Sequence, residues 1–221
     1  MTTRLRTAKG RKVGSTKWLQ RQLNDPYVKR AKAEGYRSRA AYKLLELDEK
    51  FGLLKGVRAV VDLGIAPGGW SQVVRKKAPA AAVVGIDFLP VDPLPGVTIL
   101  HMDFTADTAE EQLKATLGGE ADLVLSDMAA NTVGHPQTDH LRTMGLVELG
   151  LAFAKDVLKP GGAYVAKVLA GGTDNQLLAE LKLHFRTVKH AKPPASRKDS
   201  SEWYVVAQGF KGRAPGSEDV G

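Results

Sequence analysis

Apolar runs of strand length alternate with longer, more polar stretches between residues 59 and 210. The seven runs occupy residues 59–64, 81–88, 97–104, 122–128, 163–169, 185–191 and 202–210. Unbroken stretches such as VVGI and LVL are typical of strands that are buried on both faces. Most spacers between the runs are long enough for a helix, which predicts right-handed crossovers in a mostly parallel, seven-stranded sheet. The last two runs lie closer together and predict that the sheet ends with an antiparallel strand.

The segments that flank these strands carry helix signals. Residues 38–54, SRAAYKLLELDEKFGLL, are predicted to form an amphipathic helix that Ser38 caps. Its apolar face contains Ala41, Leu44, Leu45 and Phe51. Residues 158–164, LKPGGAY, are predicted to end a helix and turn into the fifth strand. Because no internal repeat or second domain is visible, we predict a single α/β domain.

Composition limits what this domain can be. With 221 residues, 43% of them hydrophobic, the chain is long enough for one domain with a substantial core. No apolar run reaches the roughly 18 to 20 residues of a membrane-spanning helix, and the basic start MTTRLRTAKGRKVGS lacks the apolar stretch of a secretory signal. The lack of cysteine excludes disulfides, and the five histidines show no metal-ligand spacing. We expect a cytoplasmic monomer with no membrane contact and no metal.

Positive charge is concentrated near the N-terminus. Residues 1–43 contain 13 Lys and Arg but only two acidic residues, a net charge of +11 in a chain whose total is +8. The remainder therefore carries a net charge of −3, which indicates an N-terminal segment that contacts a polyanion. Aromatic residues interleave with these charges, as on surfaces that stack nucleic-acid bases; they are Trp18, Tyr27, Tyr36 and Tyr42. A solvated basic tail is the alternative, but the pattern favours nucleic-acid binding.

Charged residues lie at the predicted carboxyl ends of five successive strands. Asp62, Asp87, Asp103 and Asp127 end the first four strands, and Lys167 ends the fifth. In a doubly wound sheet, ligands bind beyond these ends. Carboxylates that are brought together repel one another unless a ligand uses them, so the cluster predicts a binding site. Asp62 alone has a structural explanation, because an Asp before a glycine turn often bonds to loop amides.

The turn after the first strand reads VVDLGIAPGGWSQ. It has neither the Gly-Lys-Ser/Thr of a Walker loop nor the G-x-G-x-x-G spacing of a dinucleotide fingerprint, and its proline removes a donor that a pyrophosphate would use. We therefore expect a nucleoside ligand without phosphates. Its tail would lie over Gly68 and Gly69, its ribose diol would bind Asp87, and its adenine would meet Asp103. S-adenosyl-L-methionine (SAM) fits this description, and acidic walls favour its sulfonium cation.

Five separated motifs support a more specific assignment. They are RSRAAYKLLEL (37–47), DLGIAPGGWSQ (62–72), LSDMAAN (125–131), AKVLAGG (166–172) and SRKDSSEWY (196–204). In these motifs and their order, nearly the whole chain resembles the FtsJ/RrmJ family of ribosomal RNA 2′-O-ribose methyltransferases. Ala130 stands where the family usually has Pro, and LAGG replaces the more usual FQG. The resemblance implies a single-domain, Rossmann-like class I SAM-dependent methyltransferase, with large-subunit ribosomal RNA in the 50S particle as its partner.

The resemblance also implies functional residues. The catalytic tetrad would consist of Lys43, Asp127, Lys167 and Glu202, with Lys167 as the general base. Residues for cofactor binding would be Gly68, Trp70, Asp87, Asp103 and Asp127. A ribose hydroxyl must lose its proton as it attacks the methyl group, and a neutral amine can accept that proton if burial or a nearby cation lowers its pKa. Pairing with the carboxylates that is too strong would instead raise the pKa of Lys167 and impair it.

We therefore expect SAM-dependent 2′-O-methylation of a uridine in 23S ribosomal RNA. Residues 1–36 are predicted to form a basic, partly disordered arm, residues 37–212 the methyltransferase domain and residues 213–221 a tail. Methylation of another RNA, such as transfer RNA, stays open because the tetrad does not read sequence. A non-catalytic RNA-binding ribosome assembly factor is the alternative from another class, and the missing fingerprint disfavours a nucleotide-dependent oxidoreductase.

Overall fold

The computed structural model describes residues 23–129, 135–169 and 175–213, which form a seven-stranded sheet with helices on both faces. Its strands are β1 (Ala59–Leu63), β2 (Ala82–Asp87), β3 (Val97–His101), β4 (Ala121–Ser126), β5 (Leu158–Leu169), β6 (Phe185–Ala191) and β7 (Glu202–Phe210). The helices in these ranges are α1 (Pro26–Glu34), α2 (Ala40–Phe51), α3 (Gly69–Lys77), α4 (Ala109–Leu117), α5 (Pro136–Val157) and α6 (Asn175–His184). All seven predicted strands are confirmed. None of the described helices is long and apolar enough to cross a membrane.

The strand order in the sheet is β3-β2-β1-β4-β5-β7-β6. β1 pairs in parallel with β2 on one side and with β4 on the other, and β5 continues the parallel set. β7 lies between β5 and β6 and is antiparallel to both, so the predicted antiparallel last strand is confirmed. The order of the strands reverses between β1 and β4, and ligands of such sheets bind in the crevice at this point. The carboxyl ends of β1, β2, β4 and β5 therefore share one edge of the sheet.

Apolar side chains cover both faces of the sheet. α4, α5 and α6 pack on one face, where Leu113, Leu151 and Leu181 are buried. α2 and α3 pack on the other face through residues such as Leu44 and Val74. Burial of one such side chain contributes roughly 1.5–3 kcal/mol. Because a slip by one residue would exchange the two faces of a strand, this packing fixes the register and hence the position of each strand end.

Two local predictions are wrong in detail. α2 begins at Ala40 with Arg39 as its N-cap residue, and no side chain caps it. The hydroxyl of Ser38, which was predicted as the cap, is buried beside Gly69 instead. The helix stop predicted at LKPGGAY is confirmed, because α5 ends at Val157, but β5 starts at the next residue and no separate turn precedes it. The stretch forms an irregularity in the register between β4 and β5.

The basic N-terminal segment is described from residue 23 onward, where it contains α1. Asp25 caps this helix, since its Oδ1 accepts a hydrogen bond of 3.0 Å from Tyr27 N. The rings of Tyr27 and Tyr36 lie 5.4 and 5.6 Å from the ring of Tyr42, between centroids, and hold the segment on the body. Because Tyr42 is buried, its predicted role in base stacking is wrong. Outside the described residues lie Trp18, Ala130 and residues 170–172 of the LAGG stretch.

Candidate active site

The four residues of the predicted tetrad come together at the carboxyl edge of the sheet. Lys167 Nζ, near the end of β5, lies 2.9 Å from Asp127 Oδ1 and 2.8 Å from the Asp127 carbonyl oxygen. The same Nζ lies 3.7 Å from Glu202 Oε2. Lys43 enters from α2, and its Nζ lies 2.6 Å from Glu202 Oε1. The side chains of Lys43, Glu202, Lys167 and Asp127 therefore form one continuous chain of ion pairs.

Strand pairing explains why residues so far apart in sequence meet here. The parallel register of β4 and β5 pairs Ser126 with Ala166, so the next residues, Asp127 and Lys167, are neighbours. β7 runs back along β5 and brings Glu202 opposite the last residue of that strand. The tetrad is thus a consequence of the sheet topology, to which α2 adds a single side chain.

The tetrad is mostly buried, and its charged groups shift the pKa values of Asp127 and Lys167. The exposed side-chain fractions are 18% for Asp127 and 11% for Lys167. Burial alone would raise the pKa of Asp127, but Lys167 and Lys43 hold it below its ordinary value. Burial alone would lower the pKa of Lys167, but Asp127 and Glu202 outweigh it and raise that pKa. Without ligands, Lys167 is therefore a cation.

Two further side chains touch the tetrad and were not predicted from the sequence. Tyr204 Oη donates a hydrogen bond of 2.7 Å to Asp127 Oδ1, and burial raises the pKa of the phenol so that it remains a donor. Ser196 Oγ donates one of 3.1 Å to Glu202 Oε1. Strand alternation could have identified Tyr204, because it lies two residues after Glu202 and points to the same face of β7. Ser196 lies in the loop between β6 and β7, where the sequence carries no such signal.

A cavity of about 770 Å³ opens at the Asp127 end of the tetrad. We call it the acidic cavity, because Asp87, Asp103 and Asp127 line it and Arg142 is the only basic residue among its described walls. Apolar side chains complete the walls, namely those of Ile86, Phe88, Leu89, Phe104, Met128, Leu146 and Leu149. A cavity of this size, with apolar walls and a few fixed polar groups, suits a small organic ligand.

Backbone amides hold two of these carboxylates in place. Asp87 accepts hydrogen bonds from Ala66 N at 2.8 Å and from Leu89 N at 2.9 Å. Asp103 Oδ1 accepts from both N and Oγ1 of Thr105, at 2.9 and 2.8 Å, and these bonds hold the pKa of Asp103 below its ordinary value. A carboxylate can accept about four hydrogen bonds. Both carboxylates are therefore held in fixed positions as acceptors that can bind a diol or an amino group.

The sequence of the whole domain places this arrangement in a known family. The model of a family described as FtsJ-like methyltransferase matches residues 36–210. The chain belongs to this family. Its members use SAM as methyl donor, and the size and charge of the acidic cavity fit that molecule.

Individual relatives are close to this methyltransferase over nearly their whole length. A protein of Novosphingobium aromaticivorans named ribosomal RNA large subunit methyltransferase E is 75% identical over 210 residues, which cover 95% of each chain. A protein of the same name from Rhizorhabdus wittichii is 72% identical and covers 95% of this chain and 92% of its own. A crystal structure from Plasmodium falciparum, provisionally described as a ribosomal RNA methyltransferase, is 34% identical with a TM-score of 0.71. That match covers 80% of this chain and 100% of the Plasmodium chain.

In this methyltransferase, the two adjacent glycines of the turn contact the N-terminal segment. A Cβ atom on Gly68 would lie 3.0 Å from Arg37 Nη1, and one on Gly69 would lie 2.5 Å from Ser38 Oγ. Gly64 is the glycine of the turn that lines the acidic cavity, and its φ of 78° favours glycine. The close packing of residues 37 and 38 therefore explains why both positions are glycine, and contact of a SAM tail with them stays a prediction.

The side chain of Trp70 also points away from the acidic cavity. It is 3% exposed, its Nε1 donates a hydrogen bond of 2.8 Å to Ala40 O, and its ring centroid lies 5.6 Å from that of Tyr204. The indole ring therefore belongs to the packing between α2, α3 and β7. Gly68 and Trp70 stay predicted cofactor residues through their backbone alone, since N–H groups in the first turn of a helix such as α3 lack intrahelical partners.

Asp62 lies beneath the same turn, inside β1, and is 1% exposed. Its Oδ2 accepts a hydrogen bond of 2.7 Å from Ser71 Oγ in the first turn of α3. Burial raises the pKa of Asp62 to about 7, assisted by the charges of Asp127 and Asp87 and opposed by the bond from Ser71. This buried carboxyl group therefore joins β1 to the first turn of α3.

A second cavity, of about 470 Å³, opens at the Lys43 end of the tetrad. We call it the basic cavity, because Arg39, Lys43 and Arg197 face Asp199 and Glu202 across polar walls. It lies between α2 and the loop that joins β6 to β7. The sequence did not predict Arg39 or Arg197 as site residues. Within the described ranges, no group of three or more His, Asp or Glu side chains is arranged to hold a metal ion.

Proposed function

We propose that this protein transfers the methyl group of SAM to the ribose 2′-hydroxyl of a uridine in 23S ribosomal RNA, within the large ribosomal subunit. The observation that carries the proposal is the position of Lys167, whose Nζ lies 2.9 Å from Asp127 and 3.7 Å from Glu202. Asp127 lines the acidic cavity and Glu202 lines the basic cavity. Lys167 is thus the group that a cofactor in one cavity and a ribose in the other could both reach.

The walls of the acidic cavity match the parts of SAM. The Asp87 carboxylate would accept the two ribose hydroxyl hydrogens, and Asp103 would accept from the adenine amino group. Phe88 and Leu89, which are 55% and 49% exposed at the cavity, supply apolar surface for the adenine ring. Asp127 brings a negative charge to the end where the sulfonium would lie. When bound there, SAM supplies an electrophilic methyl group on a positively charged sulfur.

The tetrad supplies the proton transfer that this reaction needs. With SAM bound, Lys167 Nζ would accept the hydroxyl proton as the 2′-oxygen took the methyl group from the sulfur, and would later release that proton to water. Asp127 and Glu202 hold the amine in line with the ribose, which is the contribution of positioning. The products are a 2′-O-methyl ribose and S-adenosylhomocysteine.

Lys167 must be neutral before it can accept a proton. In the protein without ligands, the carboxylates raise its pKa above the ordinary lysine value, which opposes this role. A cation bound beside Asp127 would share that carboxylate and lower the pKa of Lys167. SAM carries such a cation. We therefore propose that Lys167 becomes a competent base only in the complex with cofactor.

The names of the two bacterial relatives support ribosomal RNA as the substrate class. We also propose that the protein acts as a cytoplasmic monomer without a metal, because one chain supplies all four tetrad residues. Sedimentation of the active fraction as a monomer, with turnover that is unchanged by a chelator, is the expected result. A requirement for an added metal ion would contradict it.

Methyl-labelled SAM tests the function directly. The protein would be incubated with ribosomal RNA, both free and in 50S particles, from cells that lack the enzyme, and the label would be identified by nucleoside analysis. We expect 2′-O-methyluridine in the large-subunit RNA of the particles. Label in another RNA, such as transfer RNA, would support the proposed reaction and contradict the proposed substrate. Normal SAM binding without transfer to any RNA would favour a non-catalytic binding factor.

A further inference from the structure

The basic cavity has two arginines in its wall that share one carboxylate. Arg39 Nε lies 2.9 Å from Asp25 Oδ2. Arg197 Nη2 and Nε lie 3.3 and 3.4 Å from the same oxygen. The Asp25 side chain is only 7% exposed, whereas those of Arg39 and Arg197 are 16% and 23% exposed. One nearly buried acidic residue of the basic N-terminal segment therefore fixes two guanidinium groups that come from opposite ends of the chain.

Further contacts hold the loop between β6 and β7 against the N-terminal helices. Ala195 O accepts a hydrogen bond of 2.5 Å from Arg39 Nη2, and Ala195 N donates one of 2.6 Å to Glu46 Oε2. The next residue of the loop, Ser196, donates to Glu202 of the tetrad. The loop is therefore fixed between α2 and the tetrad, and the arginine that follows Ser196 has a defined place.

Arg39, Arg197 and Asp25 together carry one excess positive charge, and Asp199 and Glu202 also line the cavity. Asp25 supplies one negative charge to two guanidinium groups, and each of these carries five N–H donors in a planar fork. The contacts with Asp25 and Ala195 engage only part of those donors. Both arginines line the basic cavity together with Lys43. Paired guanidinium groups bind phosphate by charge-assisted, bidentate hydrogen bonds better than separate cations do.

We propose that Arg39 and Arg197 bind one phosphate of the RNA substrate in the basic cavity, and that Asp25 is the positioning residue that holds the two as a pair. This inference rests on the proposed function, because it assigns a role in RNA binding to the cavity beside Lys43 and Glu202. A phosphate bound there would set the register of the target ribose relative to Lys167. Phosphate contacts commonly have this positioning role in nucleic-acid complexes.

The substitution Asp25→Asn separates this role from a purely structural one. Asn is as good an N-cap residue as Asp, so the variant retains the cap of α1 and loses the charge that pairs the arginines. The variant also gains one unit of positive charge. General electrostatics predicts that it would bind RNA more tightly, whereas loss of a paired phosphate site predicts weaker binding. The direction of the change in RNA affinity therefore decides between general electrostatics and a paired phosphate site.

The matched control is Asp156→Asn, which makes the same change in charge at the far end of α5. The Asp156 side chain is 54% exposed and pairs with Lys114. We would measure binding of a large-subunit ribosomal RNA fragment over a series of salt concentrations. We expect Asp25→Asn to weaken binding about fivefold and Asp156→Asn to leave it equal or slightly tighter.

The arginine variants test the second half of the proposal. Arg197→Gln removes a phosphate contact and should reduce the slope of log K against log salt by roughly 0.7–0.9. Adding Asp25→Asn to it should weaken binding no further, because both changes remove the same contact. RNA binding by Asp25→Asn that equals or exceeds the wild type would overturn the proposal, as would a parallel loss of SAM affinity. Failure of the proposed function would appear differently, as absence of methyl transfer by the wild-type protein.

Discussion

The two cavities that meet at the tetrad differ both in charge and in the origin of their walls. Strand ends and α5 build the acidic cavity, whose charged residues are Asp87, Asp103, Asp127 and Arg142. α2 and the loop between β6 and β7 build the basic cavity, whose charged residues are Arg39, Lys43, Arg197, Asp199 and Glu202. A cationic cofactor and an anionic RNA would therefore be sorted by charge before any specific contact forms. The pair of Lys167 and Asp127 lies on the border.

The largest expected effect comes from removing the amine of Lys167, which lies between the two cavities. Lys167→Ala should reduce the rate of methyl transfer about 10³-fold, because general-base catalysis contributes roughly 10²–10⁴. SAM affinity should survive, since Asp87 and Asp103 remain in place. Single-turnover transfer and calorimetric SAM binding would measure the two quantities. Lys167→Arg is the matched control, because arginine retains the charge but cannot accept a proton. Near-normal transfer by the arginine variant would contradict the role of base and leave only that of a cation.

The buried carboxyl group of Asp62 makes the stability of the protein depend on pH. The pKa of buried Asp62 is raised to about 7, so the folded protein binds a proton there more tightly than the unfolded chain does. The resulting stabilisation is complete below the ordinary Asp value and is lost as the pH rises through about 7. We expect the free energy of unfolding to fall on the order of 3 kcal/mol between pH 4 and pH 8 from this group.

Asp62→Asn should remove most of that dependence, because an amide does not titrate. Urea unfolding at several pH values would show a flatter profile for the variant than for the wild type. The exposed control, Asp156→Asn, should leave the wild-type slope intact. An unchanged slope in Asp62→Asn would mean that another group titrates and that Asp62 is ionised across this range.

The acidic cavity could be predicted from the sequence to a large extent, whereas only Lys43 and Glu202 of the basic cavity could be. A strand pattern fixes where strands end, and the rule that ligands bind at those ends then identifies Asp87, Asp103 and Lys167. Arg39 and Arg197 look like ordinary surface charges in the sequence. Their importance depends on Asp25, which is 172 residues away from Arg197 in the chain. No local pattern records such a contact.

The glycine turn after β1 shows a second limit of prediction from sequence. The sequence indicates that something approaches Gly68 and Gly69 closely, but it cannot say whether that neighbour is a ligand or the protein itself. The structure shows Arg37 and Ser38 there. The side chain of Trp70 shows a related limit, since an aromatic side chain after a glycine turn suits both a ligand contact and a core position.

Arg37 and Arg39 lie on either side of Ser38, but only Arg39 lines a cavity, whereas Arg37 bonds to carbonyls of two loops. Arg37 Nη1 donates to Pro67 O at 3.2 Å and to Asp92 O at 2.7 Å, and Nη2 donates to Pro93 O at 2.8 Å. It therefore joins the turn after β1 to the loop after β2. Arg37→Gln should weaken SAM binding about tenfold, the equivalent of one or two lost hydrogen bonds, and leave RNA affinity nearly unchanged.

Arg39→Gln should produce the opposite pattern, with weaker RNA binding and normal SAM binding. Both variants remove one positive charge, so each serves as the control for the other. Calorimetry with SAM and an RNA titration at fixed salt would give the four affinities. A loss of RNA affinity of the same size in both variants would mean that the two arginines act only as charges of a common basic surface.

The smallest expected effect tests whether Trp70 belongs to the core or to the acidic cavity. Trp70→Phe retains most of the apolar ring and removes the 2.8 Å hydrogen bond to Ala40 O. We expect a loss of about 1–2 kcal/mol in the free energy of unfolding, because a buried hydrogen bond is lost. SAM affinity should not change, since only the backbone of Trp70 could reach the cofactor. Trp203→Phe, at a side chain that is 37% exposed, is the matched control and should change neither quantity. If SAM affinity instead falls in Trp70→Phe while the free energy of unfolding is unchanged, the indole ring contacts the cofactor and is not a core side chain.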